Sequence, residues 1–151
     1  YGEIENSRSL AREIVRHRTA KAFHLTSELA ETAIRTAPRG KENQYLARVF
    51  QAIRIEVNEE IECLKDLLKQ IPEVLTEEGR AVIISYHSLE DRLVKNFFNT
   101  GNFEGKAEKD FFGNLLSPLR PVNRKAVMPS EEEISANPRS RSARLRAAEK
   151  K

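Results

Sequence analysis

The sequence predicts an α/β fold, in which helices flank a sheet that includes at least one strand buried on both faces. Val82, Ile83 and Ile84 form a short β-branched run that follows Gly79, which is typical of a strand in a parallel sheet. Helical patterns precede and follow this run, so the local unit is helix, strand, helix. In open α/β sheets ligands bind just beyond the carboxyl ends of such strands, and we expect the functional residues there.

Three helices are predicted before the strand. Ser7 and Thr26 are suitable caps for two short helices at the start of the chain. A long amphipathic helix is predicted over residues 44–71, where apolar side chains recur at steps of three and four: Leu46, Phe50, Ile53, Val57, Ile61, Leu64, Leu68 and Ile71. Val49 and Ile55 lie off this stripe, so we expect the first half of the helix to pack against more than one neighbour.

Another helix is predicted directly after the strand. Ser88, with Asp91 three residues later, forms a capping box, and Gly101 is placed to end the helix. Residues 101–121 have no periodicity and predict a long ordered loop held by apolar side chains: Phe103, Phe111, Phe112 and Leu115.

The last part of the chain is less regular. Residues 124–128 are compatible with a short strand, and Ser130 with Glu133 predicts a brief helix. The Arg-rich segment 139–149 is ambiguous, because its Ala, Leu and Arg residues favour a helix, whereas the alternation around Leu145 allows a strand.

Length and composition indicate one ordinary domain of 151 residues, with 39% hydrophobic and 32% charged residues. No apolar run approaches the roughly 20 residues of a membrane span, so we expect a soluble protein without a membrane partner. The single cysteine, Cys63, excludes a disulfide framework and a thiolate metal site, and fits a reducing, cytoplasmic setting. The chain has no Gly-x-Ser-x-Gly elbow, Gly-rich phosphate loop or His-Glu-x-x-His pair, which removes support for hydrolase, nucleotide-phosphate and zinc-protease functions.

Polar side chains gather immediately after the predicted strand, at His87, Ser88, Glu90 and Asp91. A purely structural interpretation makes Ser88 a helix cap, the two carboxylates partners of the helix dipole, and His87 a turn residue. The functional interpretation is that this turn lines a pocket, in which the imidazole and the helix N-terminus hold a polar substrate. Both interpretations stay open on these residues alone.

A second candidate group lies on the long predicted helix. Gln51, Arg54 and Asn58 are spaced by three and four, so they project together beside the apolar stripe. We expect them to make buried or inter-domain hydrogen bonds that support the pocket, with direct ligand contact and plain surface as alternatives.

The third candidate group is a set of cations near the carboxyl end: Arg120, Arg124, Lys125, Arg139, Arg141, Arg144 and Arg146. Guanidinium groups suit bidentate contact with phosphate, and such a dense cluster repels itself unless an anion is near. Ala143 and Leu145 interrupt the segment, so we expect one face to dock on the protein. We predict contact with an RNA or DNA backbone; a solvated charged tail is the alternative.

These same segments carry a family resemblance. Tyr1-Gly-Glu3, residues 50–58 (Phe-Gln-Ala-Ile-Arg-Ile-Glu-Val-Asn), residues 84–92 (Ile-Ser-Tyr-His-Ser-Leu-Glu-Asp-Arg) and residues 129–146 resemble the ribosomal RNA small subunit methyltransferase H family, also called MraW. The resemblance spans essentially the whole chain but only the carboxyl-terminal half of the family. One departure is that residues 44–47, Gln-Tyr-Leu-Ala, replace a common His-Pro-Ala-Thr.

The resemblance implies a partial class I, Rossmann-like methyltransferase sheet with a helical insert domain. Residues 1–44 would belong to the insert and residues 45–151 to the carboxyl-terminal half of the methyltransferase domain. Residues 81–86 would be a strand of the sheet, and 124–128 and 143–149 its antiparallel closing strands. The amino-terminal half, with the S-adenosylmethionine site, is expected upstream of Tyr1, so this chain would contain no cofactor-binding residues.

The resemblance also implies an activity, which is methylation of the exocyclic N4 amine of a cytidine in small-subunit ribosomal RNA. Our own hypothesis on these residues is that the substrate-side wall of the pocket is formed by Tyr86, His87, Ser88 and Glu90, with Asp91 beside them, and that the cation set holds RNA phosphates. The partner would be the ribosomal RNA or the assembled small subunit. The alternative is a stand-alone RNA-binding or ribosome-associated module without catalysis. Because a buried strand would lack its neighbours, we also expect the chain either to self-associate, for example as a homodimer, or to be only marginally stable.

Overall fold

The computed structural model describes residues 1–151, which divide into two compact units, Tyr1–Glu60 and Ile61–Lys151. The elements in chain order are α1 (Ser7–Ala20), α2 (Thr26–Ile34), α3 (Glu42–Val57), α4 (Glu60–Val74), β1 (Arg80–Ser85), α5 (Ser88–Thr100), β2 (Leu119–Pro121), α6 (Glu131–Ala136), a 3₁₀ helix (Pro138–Ser142) and β3 (Arg144–Lys150). The predicted α/β class is confirmed. The predicted domain boundary after residue 44 stays a prediction about the family.

The first unit is helical and has its own core. Leu10 from α1, Ala33 from α2, and Tyr45 and Val49 from α3 form this core. The Tyr45 hydroxyl donates to Asn6 Oδ1 at 3.0 Å, so it also ties α3 to the start of α1. The two predicted amino-terminal helices are confirmed, except that the capping positions are Asn6 and not Ser7 for α1, and Leu25 and not Thr26 for α2.

The long helix predicted over residues 44–71 is wrong as a single element. α3 ends at Val57 and α4 starts at Glu60, and Glu59 between them has a positive φ of 52°. The apolar spacing of three and four continues across the break through Val57, so the pattern contained no sign of it. The side chain of Val57 is 74% exposed, which shows that the predicted stripe is not buried at this position.

The sheet of the second unit has three strands in the order β1-β3-β2, and both pairings are antiparallel. The predicted doubly buried strand in a parallel environment is therefore wrong for this chain. β1 lies at the edge of the sheet, and Val82 and Ile84 are 57% and 53% exposed. Ala81 and Ile83 point to the opposite face and pack against the core, as the alternation of a strand requires.

Of the two predicted closing strands, only the second is a strand. β3 confirms the segment 143–149 as an antiparallel strand, whereas residues 124–128 contribute a single bridge, between Val127 and Leu145. The ladder stops because Asn123 uses its side chain: its Oδ1 accepts from Ala147 N at 2.8 Å and its Nδ2 donates to Lys125 O at 2.7 Å. The second strand beside β3 is Leu119–Pro121 instead.

Helices α4 and α5 supply most of the core of the second unit, which includes Leu68, Val94, Phe98, Leu119 and Ala148. The predicted end of α5 is confirmed at Gly101, which has a φ of 76°. In the loop that follows, Phe103 packs against the core, but Phe111 and Phe112 are 98% and 85% exposed, so the prediction that they hold the loop is wrong. No helix is both long and apolar enough to cross a membrane.

Candidate functional site

A cavity of about 260 Å³ lies beyond the carboxyl end of β1. Seven residues line it: Tyr86, His87, Ser88, Met128, Arg141, Ser142 and Arg144. The antiparallel pairing of β1 with β3 explains this grouping, because Ser85 at the end of β1 lies opposite Arg144 at the start of β3. The fold thereby joins the polar turn after the strand to the Arg-rich segment, two features predicted separately from the sequence.

The turn between β1 and α5 is fixed by the helix's own caps. His87, not Ser88, is the residue before the helix, and its Nδ1 accepts from Leu89 N at 3.3 Å. The Glu90 carboxylate accepts from the backbone N–H groups of Tyr86 and His87, at 3.2 and 3.3 Å. Glu90 therefore completes the capping box predicted for Asp91, and it lies behind the turn rather than in the cavity wall.

The cap also decides which hydrogen bond His87 can offer to a ligand. Because Nδ1 accepts a hydrogen bond, the proton of the neutral imidazole is on Nε2. A neutral His87 is therefore a hydrogen-bond donor at Nε2 and not a base at that atom.

Asp91 is buried under the sheet and forms an ion pair with two of the predicted RNA-binding arginines. Arg146 donates from Nε to Oδ1 at 2.6 Å and from Nη2 to Oδ2 at 3.1 Å, and Arg144 donates from Nη1 to Oδ2 at 3.0 Å. Burial alone would raise the pKa of Asp91, but the hydrogen bonds from Arg146 and Arg144 outweigh it and hold the pKa below its usual value.

The two arginines differ in their access to solvent. The side chain of Arg146 is 11% exposed and that of Arg144 is 45% exposed. Arg146 is thus enclosed with Asp91 and faces α5, whereas Arg144 reaches from Asp91 to the cavity. Arg141, the other arginine of the cavity, forms no ion pair in the chain.

The remaining cations of the predicted set have two kinds of surroundings. Arg120 pairs with Glu149, which also pairs with Arg80, a residue outside the predicted set. Hydrogen bonds first from Arg120 and then from Arg80 lower the pKa of Glu149. The others are exposed and form no ion pair: Arg124, Lys125 and Arg139. RNA contact by this set stays a prediction, and three of its members lie within ion pairs.

The predicted helix group belongs to the first unit. Arg54 donates from Nε to Glu60 Oε1 at 2.8 Å, and Asn58 Nδ2 donates to the same oxygen at 3.1 Å. These bonds, first from Arg54 and then from Asn58, lower the pKa of Glu60. Gln51 is half-buried on α3. The bonds of Arg54 and Asn58 are exposed, so the prediction of buried hydrogen bonds is wrong for these two residues. The inter-domain role and the support of the pocket stay predictions. A larger cavity of about 550 Å³ in this unit is lined by none of the three residues.

Sequence reasoning missed three residues that matter here. Met128 and Ser142 line the cavity, and Glu149 holds two arginines on the sheet. The alternation of β3 did contain a usable signal, because residues 144 and 146 must share one face of a strand and residue 149 must lie on the other. No group of three or more His, Cys, Asp or Glu side chains is placed to hold a metal ion.

Comparison with known proteins gives a consistent result. The model of the MraW methylase family matches residues 1–151. The chain is 57% identical to a ribosomal RNA small subunit methyltransferase H from Cytophaga hutchinsonii over 150 residues, covering 99% of this chain and 50% of the relative. It is 55% identical to the protein of the same name from Bacteroides fragilis strain YCH46, covering 100% of this chain and 50% of the relative. The chain spans about half the length of the curated relatives it matches, and the resemblance to a carboxyl-terminal half is confirmed. The chain belongs to the MraW methylase family.

Proposed function

We propose that the chain is the substrate-side part of an enzyme that methylates the exocyclic N4 amine of a cytidine in small-subunit ribosomal RNA, with S-adenosylmethionine as the methyl donor. Family membership and the names of the relatives support ribosomal RNA methylation. The observation that carries the proposal is the cavity beyond β1, which combines a histidine, two serines and two arginines at one sheet end. The partner is the ribosomal RNA or the assembled small subunit, and the enzyme acts in the cytoplasm.

The residues of this chain do not fit the methyl donor. A nucleotide-type cofactor needs a glycine-rich turn after a strand, where the backbone can approach it closely. The turn after β1 is Tyr86-His87-Ser88, which contains no glycine. The amides of Tyr86 and His87 are already bonded to Glu90, and that of Leu89 is bonded to His87. We therefore place the donor site in the half of the protein outside residues 1–151, and we assign no reaction step to the donor here.

The cytidine amine is a weak nucleophile because its lone pair is delocalised into the ring, so the substrate must be held in one orientation. In the proposed site, His87 Nε2–H donates to an acceptor atom of the base, and Tyr86 and Ser88 complete the wall. Glu90 and Asp91 position these residues through the helix cap and the arginines. The acceptor of the amine proton is not His87 in its neutral form.

His87→Asn tests this role in the intact enzyme, that is, the chain joined to its methyl-donor half. Asparagine is among the best helix caps, so the free energy of unfolding is expected to stay within about 0.5 kcal/mol of wild type. Loss of the imidazole donor is expected to reduce kcat/KM for ribosomal RNA methylation roughly three- to tenfold.

His24→Asn is the matched control, because His24 is exposed in the first unit and the substitution should leave kcat/KM unchanged. Full activity of His87→Asn would contradict the substrate role of the imidazole.

Titration of residues 1–151 with S-adenosylmethionine in a calorimeter tests the placement of the donor site. No binding is expected. Micromolar affinity from this chain alone would show that its own residues form the donor site.

An RNA-binding module without catalysis is the second candidate, and one observation favours it. His87 and Glu90 are fully accounted for as helix caps, so their presence needs no chemistry. If the intact enzyme methylates RNA equally well with His87→Asn and with Glu90→Gln, the result would favour a binding role without catalysis for residues 1–151.

A further inference from the structure

We propose that the cavity beyond β1 is a phosphate subsite, in which Arg141 and Arg144 hold the phosphate of one nucleotide of the RNA substrate. This inference rests on the proposed function and deepens it, because it selects two of the seven predicted cations and assigns both to the phosphate of a single nucleotide.

The charges around the cavity favour an anion. Two arginines line the cavity and no carboxylate does. Asp91 does not cancel them, because Arg146 alone occupies both of its oxygens, at 2.6 and 3.1 Å. Arg144 is therefore a surplus cation that shares Oδ2 of a carboxylate already paired, and Arg141 has no ion pair at all.

The donors of the subsite are side chains and not the end of the helix. The backbone N–H groups of Tyr86, His87 and Leu89 are bonded to Glu90 and His87, so they are not offered to a ligand. The guanidinium forks of the two arginines match the oxygens of a phosphate, and Ser88 and Ser142 line the same cavity. Asp91 holds Arg144 in place before the ligand arrives, which lowers the entropic cost of binding.

The cavity is small and partly open, so we do not expect it to hold more than one nucleotide. Its volume of about 260 Å³ is below the roughly 300–1,000 Å³ of pockets that enclose drug-sized molecules. Tyr86 is 58% exposed beside the arginines, so an aromatic surface is available to a base attached to the phosphate. We therefore expect a nucleotide to bind better than either a nucleoside or free phosphate.

The test is a titration of residues 1–151, followed by NMR, with three probes: cytidine 5′-monophosphate, cytidine and inorganic phosphate. The nucleotide is expected to bind about tenfold more tightly than cytidine or phosphate. Arg141→Gln and Arg144→Gln are each expected to weaken nucleotide binding roughly tenfold and to leave cytidine binding unchanged, because a charged hydrogen bond is lost. Arg141 makes no ion pair, so its variant should fold normally even if Arg144→Gln does not.

Arg92→Gln is the matched control, since Arg92 is exposed on α5 and does not line the cavity. Equal binding of nucleotide and cytidine, absence of nucleotide binding, or an equal effect of Arg92→Gln would each overturn the subsite. Free phosphate binding as tightly as the nucleotide would overturn the nucleotide assignment. The proposed function is judged separately, by methylation with the His87→Asn enzyme, so the two can fail independently.

Discussion

Asp91 is the residue on which the arrangement of the arginines depends. Its carboxylate is 6% exposed and receives three hydrogen bonds from two guanidinium groups. A buried ion pair adds little net stability, since desolvation offsets the attraction, but removal of one partner leaves an uncompensated charge. Asp91 is therefore better understood as the group that fixes Arg146 and aims Arg144 than as a general source of stability.

Asp91→Ala is expected to lower the free energy of unfolding by about 3–5 kcal/mol, because Arg146 would stay buried without a counter-ion. Urea denaturation of residues 1–151 measures this. Asp66→Ala is the matched control: Asp66 pairs with Lys69 on the exposed side of α4, and a loss below about 1 kcal/mol is expected. Similar losses in the two variants would contradict burial of the Asp91 charge.

The same residue predicts a pH dependence. Because the pKa of Asp91 is lowered in the folded state, its contribution is complete above the unfolded pKa and is lost as the pH falls through the folded pKa. The difference in unfolding free energy between wild type and Asp91→Asn should be constant above about pH 5 and shrink below about pH 4. Both proteins share the other carboxylates, so the difference isolates Asp91. A difference that does not change with pH would refute the prediction.

Among the elements, α5 positions the site through both of its ends. Its first turn is capped by His87 and Glu90, and its last by Gly101 in the left-handed region. A Cβ at position 101 would lie 3.1 Å from Pro118 Cδ and 3.3 Å from Ser117 Cα, so the helix end also packs tightly against the chain before β2.

Gly101→Ala is expected to destabilise the chain by about 2 kcal/mol, from the left-handed conformation together with the close contacts. Gly113→Ala separates the two causes. Gly113 also has a positive φ, of 87°, but no atom lies within 4 Å of the added Cβ, so a loss of about 1 kcal/mol is expected from conformation alone. Thermal or urea unfolding compares the variants, and equal losses would show that the contacts at Gly101 relax without cost.

β1 is the second element with consequences beyond itself. One of its edges pairs with β3 and the other has no strand beside it. Its outer face also carries apolar side chains, because Val82 lies opposite Ala147 and Ile84 opposite Leu145. An unpaired edge next to an exposed apolar face is a template for association with another chain.

For the whole molecule, this surface predicts self-association of residues 1–151. Sedimentation velocity from micromolar to near-millimolar concentration should show a concentration-dependent increase in mass. Val82→Lys should suppress it, because the charge would lie on the open sheet face. Leu67→Lys is the matched control, since Leu67 is also exposed, at 54%, but belongs to helix α4 and not to the sheet. A monomer at every concentration would contradict the prediction.

The larger organisation of the chain follows from two separate cores, each with its own cavity. The candidate site lies entirely within the second unit, whose sheet exposes one face. The chain spans about half the length of its relatives, and its sheet has an open face. Both observations agree with the proposal that the methyl-donor half of the protein lies outside residues 1–151. The Rossmann-like sheet that the family resemblance implies stays a prediction.

What the sequence alone determined was local or specific to the family. The α/β class, the brief helix capped by Ser130, the end of α5 at Gly101 and the family itself could be predicted, because caps, glycine turns and motifs depend on neighbouring residues. Tertiary structure decided the break at Glu59, the edge position of β1, and which arginines are enclosed and which face the cavity. These depend on strand pairing and packing between distant residues, such as Asp91 with Arg146, and spacing along the chain does not specify such pairs.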